Sequence, residues 1–270
     1  MTITCLACFT LALGAAADKP ATLFEEAERL SRSNRKAEAM AKVEEAVAEL
    51  DRAHAAGEDI SWQGMNGLRF AARLAREDFL DYRKAFSFCD KLFALADNDY
   101  WRVPARLERA LTYRAMGDYA KARREYDAIA QADERQRTAA IIPQAEMVYF
   151  DVRDEQRGRK MMVEALMSKA IQGRERFNSL RQCARRAISE GDRNTAVQWY
   201  AMAETLPFEK PEERARFLSE AWYEMGQIEE SRGRTAEAKT LFRQAMQLND
   251  GEMRYRTRAR DALESIEYFE

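Results

Sequence analysis

The chain has one histidine, His54, and that sets the first limit on its chemistry. Ser-His-Asp and Cys-His relays need an imidazole to carry the nucleophile's proton. No Gly-x-Ser-x-Gly elbow and no Gly-rich phosphate loop ending in Lys-Ser/Thr accompanies it. His54 and Glu58 stand four apart, a spacing that can put two ligands on one helix face, but a metal centre takes three or four. His54 also precedes Gly57 near the end of a helical run, where positive charge is favoured. Acids occur as neighbours: Glu44-Glu45, Glu212-Glu213 and Glu229-Glu230. Adjacent helical positions point about 100° apart, so these pairs fit solvated faces better than an acid–base centre. Cys89 and Cys183 fall on apolar helix faces far apart in the chain and read as small buried hydrophobes. The expectation is a protein that is not an enzyme, with no catalytic residue, no metal and no cofactor.

The elements that could position any site are helical. The 270 residues include 46% hydrophobic and 33% charged side chains, with only 11 Gly and 5 Pro to break helices. That length can bury a sizeable core in one or two domains. A formal net charge of -2 argues against general nucleic-acid binding, which needs a surplus of Lys and Arg.

Apolar periodicity then recurs along the chain. The strongest copy runs from Trp222 to Asp250. Trp222 and Met225-Gly226 lie on a first helix, Ser231 to Arg234 on a turn, and Ala238, Phe242 and Ala245 on a second helix. Gly226 and Ala238 let two backbones approach, while Trp222 and Phe242 fill the remaining space. Small residues repeat at the second-helix position: Ala39, Ala85, Ala122, Gly158, Ala196 and Ala238. Their spacing is roughly 36 to 46 residues, a little above the ~34 of a tetratricopeptide repeat. The turns Met116-Gly117-Asp118, Glu190-Gly191-Asp192 and Arg232-Gly233-Arg234 separate the helices of three copies. Pro104 is expected in the first turn of a helix, Pro143 early in another, and Ser61 as an N-cap.

This pattern resembles the tetratricopeptide repeat (TPR) family, with Met225 in place of the usual Leu, Glu229 in place of Tyr and Asp250 in place of the closing Pro. The resemblance implies an all-α, right-handed α-solenoid of about six TPR-like helix-turn-helix pairs with a C-terminal capping helix. Residues 18–248 divide into pairs at about 21–57, 61–97, 100–133, 134–172, 173–209 and 210–248. Residues 249–270 form the cap, on which Met253, Ala259, Ala262, Leu263 and Ile266 cover the last pair.

Ile3 to Ala17 is apolar and uncharged, is too short to span a bilayer comfortably, and ends in Ala15-Ala16-Ala17. Residues 1–17 therefore read as a signal peptide, although no Lys or Arg precedes the apolar run. The expected location is periplasmic or secreted, with no membrane span after cleavage. The alternative is a cytoplasmic TPR regulator that keeps this segment.

In TPR proteins the first helix of each pair lines the concave surface, which is what the resemblance implies here. The Arg174, Arg176, Arg181, Arg185 and Arg186 cluster then matters. With Leu180, Ala184 and Ala187 facing the core, Arg181 and Arg185 fall on a neighbouring face. Matching positions elsewhere are Leu107, Leu111, Met147, Phe150, Tyr223 and Gln227. These eight residues define an expected partner-binding groove, apolar in the middle and basic at the fifth pair. The other reading is that Arg181 and Arg185 pair with local acids. Arg254, Arg256, Arg258 and Arg260 read as a solvated face of the cap. The expected function is non-catalytic: a scaffold or adaptor that binds a protein or peptide segment, with self-association open. A helical scaffold carrying a cell-envelope enzyme is the alternative of a different class.

Overall fold

The structure is a computed structural model that describes residues 19–129, 134–248 and 252–269. The proposed signal peptide lies outside these residues, as do the ends of the third pair and the start of the cap segment. The described residues form thirteen α-helices and no strand. The fold is all-α and built from helix-turn-helix pairs, in two compact units that meet in sequence at Met147 and Val148.

The first unit contains α1 (Lys19–Arg32), α2 (Lys36–Ala55), α3 (Trp62–Asp78), α4 (Tyr82–Leu95), α5 (Asp99–Ala115), α6 (Tyr119–Ile129) and α7 (Glu134–Glu146). The second contains α8 (Glu155–Met167), α9 (Gly173–Ser189), α10 (Arg193–Ala201), α11 (Pro211–Ser231), α12 (Thr235–Gln247) and α13 (Met253–Phe269). All six repeated small residues are buried: Ala39, Ala85, Ala122, Gly158, Ala196 and Ala238. Their common role is close helix approach. At Gly226 the reason is explicit, because a Cβ there would sit 2.5 Å from the ring of Phe242 across the pair. Phe242 is fully buried with Ala238 and Ala245, and Ala259, Leu263 and Ile266 of α13 close that cluster. Met253 departs from expectation and points to solvent, while Tyr255 is buried in its stead.

The turns share one device. A residue in left-handed conformation ends the first helix, and the next residue starts the second. Gly117, Gly191 and Gly233 take φ of +78°, +82° and +73° and lie between the helices of their pairs. In each, the following N–H donates to the carbonyl five residues back, as in Asp192 to Ala187 at 2.9 Å. Asp118 and Asp192 then cap the second helix, accepting from Lys121 and Thr195 backbone N–H. Ser61 caps α3 in the same way, accepting from Gly64 N at 3.2 Å. Three turns put a non-glycine residue in the left-handed position: Asn34 (φ 60°) before Arg35, and the costlier Leu80 (φ 53°) before Asp81 and Arg153 (φ 63°) before Asp154.

Both helix-start expectations for proline need correcting. α5 begins at Asp99, so Pro104 lies in its second turn, and Pro143 lies near the end of α7. Immediately after α7 the chain winds into a π-turn, Met147–Asp151.

Candidate partner-binding face

In the second unit the first-position helices α9 and α11, together with the cap α13, turn polar side chains to one face. The α9 core stripe is Phe177, Leu180, Ala184 and Ala187, all buried. Arg181 and Arg185, one turn apart, therefore fall clear of it; Arg181 is half-buried and Arg185 exposed. On α11, Phe217, Ala221, Met225 and Ile228 are buried. That leaves Glu220, Tyr223, Glu224 and Gln227 toward α9 and α13. The cap contributes buried Tyr255 and exposed Arg254 and Arg258.

Arg181 donates to Glu220 Oε1 at 3.2 Å and to Asn178 Oδ1 at 2.9 Å. Glu220 is only 5% exposed, so its charge is held inside the protein by this pair. Tyr255 lies close by, and burial first, then the Glu220 charge, push its hydroxyl up to about 12. Its ring is 5.7 Å from that of Tyr223. Glu224 is half-buried. Burial, then the Glu220 charge, raise its carboxyl above the ordinary carboxylate value, against the opposing pull of Arg185, Arg258 and Arg181. Burial likewise raises the hydroxyls of Tyr200 and Tyr223.

The sequence-predicted residues divide between the units. Leu107 and Leu111 are half-buried on α5, and Leu107 packs against the cluster around Tyr126 and Ile129. Met147 and Phe150 are buried at 2% and 3% exposure, and Phe150 lines a small pocket with Tyr149, Ala187 and Glu190. Both stand in the π-turn, and Phe150 lies under the Arg186 guanidinium at 4.6 Å. Arg181, Arg185, Tyr223 and Gln227 share the α9–α11–α13 face. Arg181 nevertheless has the local acid partner that the competing reading expects, whereas Arg185 makes no ion pair among the described residues. Arg176 is buried and donates to Ser168 O at 2.7 Å, so it leaves the surface cluster.

Sequence reasoning missed Glu220, Glu224 and Tyr255. Acids were sought as neighbours, whereas these two stand four apart on one helix face. Glu229, one of the adjacent acids expected on a solvated face, is 5% exposed and held by Arg232 at 2.8 Å and Arg234 at 3.4 Å.

Residues 219–251, from mid-α11 past the end of α12, match the family model described as Tetratricopeptide repeat. The chain carries a tetratricopeptide repeat. No curated protein matches it. Among solved structures, it is similar to a TPR protein from Parabacteroides merdae, at 14% identity and a TM-score of 0.48, covering 92% of this chain and 84% of that one. It is similar to BtubC (BKLC) from P. vanneervenii at 16% identity and a TM-score of 0.39, covering 94% and 92%. A third, from Podosopora anserina, is provisionally assigned as a kinesin light chain with nearly identical TPR-like repeats. It shares 18% identity at a TM-score of 0.43, covering 67% of this chain and 92% of that one. Within the second unit, the TPR match embraces the helix that supplies Glu220, Tyr223, Glu224 and Gln227. Among the described residues no helix is long and apolar enough to cross a membrane.

Proposed function

We propose that the chain is a non-catalytic binding module, a scaffold or adaptor whose α9–α11–α13 face receives a segment of a partner protein. The observation that carries this reading is the face itself. Its helices put their apolar residues into the core, yet it displays charged and aromatic side chains held in fixed positions by partial burial. Groups fixed in advance lose little entropy when they bind. A TPR match over α11 supports a protein partner over a small molecule.

The test is site-specific photo-crosslinking in the native cell. A crosslinker at Gln227, on the face, should capture a discrete partner, and one at exposed Gln244 on α12 should not. Changing both Arg181 and Arg185 to Glu should weaken that capture and reduce its salt dependence. Equal capture from both positions would remove the reading. The sequence of Ile3 to Ala17 supports the further reading that this binding happens after export. A mature N-terminus following Ala17 is the expected result of N-terminal sequencing.

A further inference from the structure

Arg185 on α9 and Arg258 on α13 make no hydrogen bond or ion pair among the described residues. The same is true of the Glu224 carboxylate on α11, although both arginines act on it electrostatically. Glu220, one turn earlier, is different, because Arg181 is already closed onto it. With that pair neutralised, the face retains Arg185, Arg254 and Arg258 against Glu224, and against Glu230, which accepts from Gln227 at 3.2 Å at its far end. Exposed Asn178 on α9 and half-buried Gln227 on α11 continue the face on either side, so a chain can run across it.

We propose that Arg185 and Arg258 together hold an acidic side chain of the partner, and that the charge on Glu224 between them sets how tightly. This rests on the binding-face reading above and names the chemistry of its ligand. Each guanidinium offers a planar fork of donors matched to a carboxylate. The incoming acid gains these contacts but meets Glu224 as a like charge. When Glu224 takes up a proton, that repulsion is lost and its hydroxyl can donate to the newcomer.

Glu224 is acted on by Glu220 on its own helix, by Arg185 and Arg181 on α9 and by Arg258 on α13, and its charge in turn reaches Tyr200 on α10, Tyr223 on α11 and Tyr255 on α13. The tyrosines stay neutral through the mildly acidic range, because burial and neighbouring charge raise their hydroxyls. Glu224, its carboxyl raised by burial and by the Glu220 charge, takes up its proton at higher pH than an ordinary carboxylate. Affinity for an acidic segment therefore rises as pH falls toward the Glu224 carboxyl, and the bound acid draws that proton uptake to higher pH.

The experiment is fluorescence anisotropy of the full chain with a fluorescein-labelled peptide of alternating Glu and Ala, blocked at both ends. Controls replace Glu by Gln, replace Glu by Lys, or carry Gln with a free C-terminal carboxylate. The Glu peptide should bind about tenfold or more tightly than the Gln peptide, and Arg185→Ala or Arg258→Ala should each cost about tenfold. As pH is lowered from neutral the wild type should tighten on the Glu peptide, while Glu224→Gln should bind tightly throughout and lose the pH dependence. No binding of the Glu peptide overturns the proposal. Equal binding of the Glu and Gln peptides, preference for the Lys peptide or the free C-terminus, or a silent Glu224→Gln does so as well. If these variants are silent while Gln227 still crosslinks the partner, the inference fails and the binding face stands. If crosslinking itself moves to α12, the binding face fails.

Discussion

At the scale of single residues, the polar groups that count are those the helices bury. Arg76 and Glu108 form a 3.0 Å ion pair with both side chains under a tenth exposed. Removing one partner strands the other, so Glu108→Leu should cost about 3–5 kcal/mol, and Arg76→Met combined with it should recover most of that loss. Urea titrations of the two single variants and the double variant would check the coupling. Glu224 is the opposite case. Its carboxyl is raised in the folded protein, so the folded state is penalised above that raised value, and the penalty fades as pH falls through it and is gone below the unfolded carboxylate range. Glu224→Gln should therefore raise the melting temperature at neutral pH, with the gain shrinking in acid. Thermal melts across pH would show it. In the sequence Arg181 and Arg185 were legible, because they are one turn apart beside a clear core stripe. Glu220 and Glu224 were not. An i, i+4 pair of acids on a soluble helix looks the same whether it faces solvent or two flanking helices, and the difference comes from the helices on either side.

At the scale of elements, the turn device explains both what could be read and what could not. Gly117, Gly191 and Gly233 mark their turns in the sequence because only glycine takes positive φ without strain. Leu80 and Arg153 occupy the same conformation with no such mark. Leu80 is 66% exposed, so its side chain recovers little by packing. Leu80→Gly should stabilise the fold by about 0.5–1 kcal/mol net of glycine's unfolded-state entropy, and Gly191→Ala should cost about 1–2 kcal/mol. Paired denaturant midpoints would test the contrast. Gly226 differs again, since space rather than φ requires it. Gly226→Ala drives a methyl into the Phe242 ring and should cost about 1–3 kcal/mol. The π-turn at Met147–Asp151 could not be foreseen from apolar spacing, which assumes one helical period throughout. The expected groove positions Met147 and Phe150 stand in that turn and are buried.

At the scale of the whole chain, small residues repeated at matching positions were enough to give an all-α, pair-built fold, because close helix packing needs them wherever pairs recur. The partner cannot be read in the same way, since it depends on which side chains the finished pairs leave uncancelled. The account's central claim is that the first-position helices of the second unit do the binding. Hydrogen exchange of the full chain, with and without the partner recovered by crosslinking at Gln227, tests it most directly. The account predicts new protection in Gly173–Ser189, Pro211–Ser231 and Met253–Phe269. Protection confined to Arg193–Ala201 and Thr235–Gln247, with those three helices unchanged, would contradict it.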